Sequence, residues 1–400
     1  MLLVLVLFTS ASLMFWILAL MVLADTHEKE PRLNAFSYSG PPEPSPLVSV
    51  IIPARDEEEH IASCIDAVLE QDYPRFEVIV VDDRSEDRTA GIVEACQMRD
   101  PRVRLIRGRP VPEGWAGKCH AIDQGVKAAQ GEYLLMLDTD TFLTPRCLSM
   151  AVRDAVENDV DLYTLLFEAQ CTSFWEKVIQ PFMFQLLLMA LPLGKVNDPA
   201  RKEAAAPGPF LLFRRSAYEA IGGHAGMKDE VVEDLRLAQR IKQSGRRLLA
   251  VNAVSLVYSR RRIGFRAIWR GWSRVLYTGL DRNPLAAGLG FLGMALFLLL
   301  PWLIPPLCIY GLIRSDPSLP WTGLLGLGLS HCMVFLAIRR LMWVFYRLDV
   351  SLAWLQPLAT GVCMAILANS VVLDSLSRPV IWKGRRYVTG GRPKANGKSA

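Results

Sequence analysis

Val48-Ser-Val-Ile-Ile-Pro-Ala-Arg-Asp-Glu-Glu-Glu59 decides how the chain is read. It opens on five residues that are mostly β-branched, passes through a proline and a charged stretch, and is followed by Ile61, Ile65, Val68 and Leu69 at helical spacing. That pattern is strand, loop, helix. The pattern recurs downstream. Phe76-Glu-Val-Ile-Val-Val81 ends in Asp82-Asp83-Arg84-Ser85, and a helix is expected from Thr89 to Arg99. Val103 to Ile106 make a third strand, Cys119 to Ala129 a helix, and Tyr133-Leu-Leu-Met-Leu137 a fourth strand ending in Asp138-Thr139-Asp140. Strands apolar throughout, alternating with helices, predict an α/β domain whose mostly parallel sheet is covered on both faces. Such sheets bind ligands beyond the carboxyl ends of their strands. Here those ends carry acids or a polar turn.

Each polar group admits a structural and a chemical reading. Asp138 and Asp140 are either a solvated turn or oxygen ligands for a divalent cation that also holds phosphate. Asp82-Asp83 either caps the following helix or belongs to a binding edge. Lys118 closes Gly114-Trp-Ala-Gly-Lys118, a loop flexible enough to bring an ammonium to a diphosphate, although a lysine at a helix start is commonplace. Glu233-Asp234 opens a helical stretch, where acids also favour the positive helix terminus.

The flanks are of another kind. Of the 40 acids, residues 1–234 hold 36 against 22 bases, net −14, whereas residues 235–400 hold 4 acids and 23 bases, net +19. With 51% hydrophobic residues, 21% charged and a mean hydropathy of +0.23, disorder and wholly membrane-embedded chains are both excluded. Residues 1–24 read as a retained membrane anchor and residues 25–46 as a Pro-rich linker, with Lys29 and Arg32 favouring a cytoplasmic domain after it. The domain itself is placed at 47–258. Within it, residues 173–194 are apolar and interrupted by Pro181 and Pro192, and read as a helix pair dipping into the interface or as a buried domain helix. Residues 259–280 carry Arg260, Arg261, Arg262, Arg266, Arg270 and Arg274 interleaved with Phe265, Ile268, Trp269 and Trp272, a basic amphipathic interfacial helix. Three apolar blocks in 281–375, about Pro284–Ile313, Trp321–Ile338 and Val350–Leu373, are expected to span the membrane, and residues 376–400 form a basic tail. Three crossings put that tail outside, while its Arg378, Lys383, Arg385, Arg386, Arg392, Lys394 and Lys398 place it inside. Either one block is re-entrant or the tail breaks the tendency. The eight cysteines show no CxxC pair, and neither a disulfide framework nor a zinc site is indicated. No nucleic-acid-binding module accompanies the bases.

The ordered segments resemble the family 2 inverting glycosyltransferases, whose catalytic domain has the GT-A fold, a Rossmann-like nucleotide-sugar-binding domain. They are Val48 to Glu58, Val80-Val-Asp-Asp-Arg-Ser85, Gly114 to Lys118, Leu137-Asp-Thr-Asp-Thr141, Arg214-Arg215 through Gly222-Gly223-His224, and Val231-Val-Glu-Asp-Leu235. Asn197-Asp-Pro-Ala-Arg201, Ala206-Pro-Gly-Pro-Phe210 and Trp382-Lys-Gly-Arg385 resemble the membrane-bound branch with hopene-associated, carotenoid-associated and ceramide glucosyltransferases. The resemblance implies that Pro53, Ala54, Arg55 and Asp83 contact the nucleoside, with Glu57 and Asp82 beside them. It further implies that Lys118 faces the diphosphate, Asp138 and Asp140 hold Mg²⁺ or Mn²⁺, and Asp234 is the general base, with Glu233 as fallback. Arg201, His224, Arg270 and Trp272 are candidates for the acceptor side or the interface.

The function so implied is transfer of one sugar, with inversion, from a nucleotide sugar, taken as UDP-linked, to a membrane lipid, by an integral protein of a bacterial inner membrane. Processive synthases of the family carry Gln-x-x-Arg-Trp after the base. Arg266-Ala-Ile-Trp-Arg-Gly-Trp272 departs from that spacing, which favours a single transfer. The alternatives are a polyprenyl-phosphate glycosyltransferase, a polysaccharide synthase, and, in another class, a membrane-tethered receiver-like signalling or nucleotide-binding module.

Overall fold

The computed structural model describes residues 2–33, 38–230, 232–260, 264–314, 321–376, 379–382 and 385–388. In chain order the elements begin with α1 (Leu2–Glu28), β1 (Val48–Ala54), α2 (Ile61–Leu69), β2 (Phe76–Asp82), α3 (Thr89–Arg99), β3 (Val103–Arg107) and α4 (Gly117–Ala128). Next come β4 (Tyr133–Leu137), β5 (Thr141–Leu143), α5 (Cys147–Glu157), β6 (Leu162–Leu166), β7 (Glu168–Ala169), α6 (Phe174–Ala190), α7 (Leu193–Asn197), β8 (Phe210–Arg214) and α8 (Arg215–Ala220). The rest are α9 (Glu233–Gln243), β9 (Leu248–Asn252), β10 (Val257–Ser259), α10 (Phe265–Gly279), α11 (Pro284–Gly293), α12 (Leu300–Ile313), α13 (Trp321–Tyr346), α14 (Gln356–Ser375), β11 (Pro379–Trp382) and β12 (Arg385–Val388). A π-helical turn, Met294–Leu299, joins α11 to α12.

The chain divides into two compact units, one of Glu30–Gln170, Leu191–Arg261 and Ser377–Ala400, the other of Met1–Lys29, Cys171–Ala190 and Arg262–Leu376. The first is built on a seven-stranded sheet of order β3-β2-β1-β4-β8-β6-β9. Only β8 runs against its neighbours, so the mostly parallel sheet expected from the sequence is what forms. Strand β1 shows why its sequence is apolar without alternation. Val48, Val50 and Ile52 enter the core on one face and Ile51 the core on the other, and all four are fully buried. Each such side chain contributes about 1.5–3 kcal/mol through burial. Helix α4 lies so close to this face that a Cβ on Gly125 would stand 2.6 Å from Ile51 Cγ2. Because β1 sits between β2 and β4, the loops after all three open at one edge. A small sheet, β5-β10-β7, adjoins β4 through the short turn at Asp138–Asp140.

The second unit gathers the apolar helices. Four stretches are long and apolar enough to cross a membrane: Val6–Asp25, Pro284–Ile313, Trp321–Tyr346 and Ala353–Ser375. The last two run past the expected limits, Trp321 to Tyr346 and on to Ser375. Helix α6 corrects an expectation. It is one helix straight through Pro181, and its Val178, Ile179, Phe182 and Met183 join the core of this unit beside Ile268, Phe335 and Cys363 rather than the sheet's core. Only Leu193–Asn197 of the expected helix pair packs on the sheet. Helix α10 begins at Phe265, so Arg260 lies outside it, directly after β10, and Arg261 and Arg262 lie outside the described residues. Arg266 and Arg270 are exposed while Phe265, Trp269 and Trp272 are half-buried, as an amphipathic helix with its bases outward requires. Of the tail, Arg378, Lys383, Arg392, Lys394 and Lys398 lie outside the described residues, as does Val231 of the Glu233 segment.

Candidate active site

The carboxyl end of β1 delivers Pro53, Ala54 and Arg55, and that of β2 delivers Asp82 and Asp83. Asp83 N–H donates to the Ala54 carbonyl at 2.7 Å, and Arg55 Nη1 donates to the Asp83 carbonyl at 2.9 Å, so the two strand ends are stitched together. Glu57, Asp82 and Asp83 are buried there. At the start of α3 it is Asp87 that accepts from Thr89 N–H, while the Asp82 carboxylate accepts from Ser85 N–H in the turn before it.

Lys118 lies in the first turn of α4, and two bonds bring that turn toward α9. Ala116 N–H donates to the Lys228 carbonyl, and the Cys119 thiol to the Glu230 carbonyl at 3.5 Å. The ammonium is thereby set 2.8 Å from Asp138 Oδ1 and 2.7 Å from Glu233 Oε1. Burial pulls the Lys118 ammonium down, but the two carboxylates outweigh it and hold its pKa well above the ordinary lysine value. Lys118, Asp138 and Glu233 thus come together, which sequence spacing alone does not reveal. Asp140 lies on the same turn. Its carbonyl accepts from Arg260 N–H at 3.2 Å, and Arg260's guanidinium spreads over the stacked rings of Tyr258 and Phe142, 5.0 and 5.5 Å from their centroids.

Glu233 and Asp234 open α9 and their environments split them. For Glu233 burial raises the pKa, and Lys118 outweighs that effect, leaving it below the usual carboxylate value. Asp234 makes no such pair. Burial first, and the Glu233 charge second, push it up to about 6. Two carboxylates with opposed environments are a general way of assigning one as a proton acceptor at neutral pH. Gly208 lies over Asp234, and a Cβ there would stand 2.8 Å from Asp234 Oδ2. Lys242, in the last turn of α9, donates to the carbonyls of Val196, Asp198 and Glu203 at 2.8, 2.9 and 2.7 Å and so fixes the loop that leads to Gly208. Gly208 lies in the Ala206-Pro-Gly-Pro-Phe210 segment that the sequence marks, but its place over Asp234 does not show there, and Lys242 carries no pattern at all.

The acceptor-side candidates fare differently. His224 is fully buried, not presented to a ligand: Tyr218 Oη lies 2.7 Å from its Nδ1 and accepts its main-chain N–H. Burial lowers its pKa to about 4, so it is neutral, and its Nε2 has no hydrogen-bond partner. Arg201 is exposed and pairs with Asp198 in its own loop, 3.7 Å away. Trp272 donates to Gln180 Oε1 at 2.7 Å and meets the Phe184 ring, which makes it a peg between α10 and α6 within the helical unit. Arg270 is exposed on α10.

Among the described residues no three His, Cys, Asp or Glu side chains cluster as a metal site. Asp138 and Asp140 suit Mg²⁺ or Mn²⁺ only if phosphate and water oxygens complete the shell, which is the usual arrangement for these ions.

Residues 49–222 match the family model described as glycosyl transferase family 2. The chain is 27% identical over 354 residues to 4,4'-diaponeurosporenoate glycosyltransferase of Staphylococcus aureus, spanning 85% of this chain and 88% of that one. It is 30% identical over 118 residues to glycosyltransferase GlyG of Streptococcus pneumoniae serotype 4, 30% of this chain and 38% of that protein. Mannosyltransferase PcManGT of Pyrobaculum calidifontis, solved with GDP-Man and Mn²⁺, superposes with a TM-score of 0.54 at 20% identity, over 92% of this chain and 98% of that one. That last likeness concerns the fold.

Proposed function

Since the chain carries a family 2 glycosyltransferase domain of GT-A fold, we propose that it moves a single sugar, with inversion, from a nucleotide diphosphate sugar, UDP-linked, to a hydroxyl or acid group of a membrane lipid. The observation that carries this reading is the divided acid pair: Glu233 held ionised by Lys118, and Asp234 beside it pushed up to about 6. A base poised near neutrality can take the acceptor proton as the anomeric carbon is attacked from the opposite face to the leaving group. Asp234 therefore ranks above Glu233. Lys118 turns from its carboxylates to the diphosphate as that group departs, and the ends of β1 and β2 hold the nucleoside. A divalent cation, when bound at Asp138 and Asp140, neutralises charge on the diphosphate.

Four candidate membrane spans support a lipid acceptor. So does the S. aureus relative, which is named a glycosyltransferase of 4,4'-diaponeurosporenoate. The family match replaces the receiver-like alternative. The test is UDP release by the full-length protein in nanodiscs with Mn²⁺ or Mg²⁺, a panel of UDP- and GDP-sugars and extracted bacterial lipids, with mass spectrometry of the product. One hexose per lipid is expected. No turnover on any pair, or activity unchanged in Asp234→Asn, defeats the reading, and turnover by Asp234→Asn only on a polyprenyl phosphate selects that acceptor class instead.

A further inference from the structure

Helix α14 has the length of a membrane span, 20 residues or about 30 Å, yet its surroundings set both its ends at one edge. Helix α13 supplies the ruler. Gly311 near the end of α12 lies against the Trp321 ring at the start of α13, Gly328 against Ile304 and Pro305, and Trp302 against Phe335. These contacts make α12 and α13 antiparallel and bring the end of α13 level with the start of α11. Helix α1 runs parallel to α13, because Trp16 meets Phe335 and His27 stacks on Phe345. Arg339 follows Trp321 by about 27 Å of helix, which is the far edge of a hydrocarbon layer roughly 30 Å thick.

The chain entering α14 is fixed at that edge, since Arg339 Nη2 donates to the Asp349 carbonyl at 3.0 Å. The chain leaving α14 is fixed there too. Asp374 pairs with Arg282 at 3.3 Å, just before α11 begins. Ser370 Oγ accepts from Tyr277 N–H at 3.2 Å, and Asn369 Nδ2 donates to Ser273 Oγ at 2.9 Å, both on α10. Helix α14 packs along α10, α6 and Met294–Leu299, with no comparable packing on α1 or α13 among the described residues. The bases Lys29, Arg282, Arg339, Arg340 and Arg347 all fall at this same edge, which the positive-inside tendency makes cytoplasmic.

We propose that α14 does not cross the bilayer but lies within its cytoplasmic half, as one unbroken helix whose two ends stay at the same edge. The chain then crosses the bilayer three times, through α1, α11–α12 and α13, and the basic tail after α14 emerges on the side where α1 ends. Hydropathy and the tail's charge no longer conflict. Helices α6, α10 and α14 form one layer set into the cytoplasmic leaflet, so the acceptor is a lipid whose reacting group lies in that leaflet. The test is a membrane-impermeant maleimide on intact and permeabilised bacteria expressing the full chain with Arg314→Cys or Ser399→Cys, the unsubstituted chain serving as blank. Position 314 is expected to label in intact cells and position 399 only after permeabilisation. Labelling of 399 in intact cells, or failure to label 314 in them, overturns the proposal. A C-terminal alkaline phosphatase fusion to the unsubstituted chain provides a second reading, and an active phosphatase has the same force.

Discussion

The Lys118 ammonium is 2.8 Å from Asp138 Oδ1 and 2.7 Å from Glu233 Oε1, so an internal cation already sits on the carboxylate that a metal would use. On the proposed reading, metal and lysine would compete for it until a diphosphate offered Lys118 another partner. Lys118→Met is therefore expected to bind Mn²⁺ without nucleotide about tenfold more tightly than the unsubstituted protein, a gain of about 1.4 kcal/mol. Electron paramagnetic resonance of free Mn²⁺ measures this, and equal affinities refute it.

As the proposed base, Asp234 would work only when deprotonated. With its pKa at about 6, kcat/KM is expected to fall roughly tenfold per pH unit below that value and to level off above it. In Asp234→Asn the acid limb disappears and the rate drops by about 10²–10⁴, while nucleotide affinity holds. A pH profile of initial rates checks both.

The same shift has a cost in stability, and its sign is fixed. The folded pKa of Asp234 lies above the unfolded value of about 3.9, so the folded state favours the protonated form. Stability from this group is full below pH 4 and lost as pH rises through about 6. Asp234→Asn, which removes the charge beside Glu233, is expected to stabilise the protein by about 2–3 kcal/mol at pH 7.5 and to change nothing at pH 4. Thermal melts at the two pH values decide it.

A methyl group on residue 208 meets Asp234. Gly208→Ala would place its Cβ 2.8 Å from Oδ2, and the carboxylate must yield. We expect kcat to fall about tenfold to a hundredfold, as for other small misplacements of reacting groups, with the donor KM unchanged. A rise in donor KM without loss of kcat contradicts this geometry.

Lys242→Met removes the ammonium from three carbonyls. Leaving such acceptors unpaired costs about 1–3 kcal/mol, seen as a lowered Tm, and kcat should fall further than Tm alone explains because the loop bearing Gly208 is released. Lys242→Arg should recover part of both.

Much of this is legible in the sequence, and for a physical reason. A strand buried on both faces must be apolar at every position, so Val48–Ile52 and Tyr133–Leu137 announce themselves, and the acids that end such runs mark the binding edge. What the sequence hides are relations set by the third dimension. The ranking of Glu233 and Asp234 depends on Lys118, which reaches them through the Lys228 and Glu230 carbonyls. Pro181 looks like a break, yet α6 continues through it, with the residues around it buried among neighbouring helices. His224 is the turn residue its two preceding glycines suggest, opening the short helical turn His224–Met227, and what the sequence hides is that Tyr218 holds it inside. Arg260 reads as part of the basic segment 259–280, whereas it directly follows β10, with its N–H on the Asp140 carbonyl.

Helix α9 holds Asp234 at one end and, through Lys242, the approach to Gly208 at the other. Base and covering strap are thus geared to one rigid rod of 11 residues, and neither can drift without dragging its counterpart. A variant that keeps its chemistry while changing what it accepts should therefore carry its substitutions away from this rod and strap, which have to be inherited together.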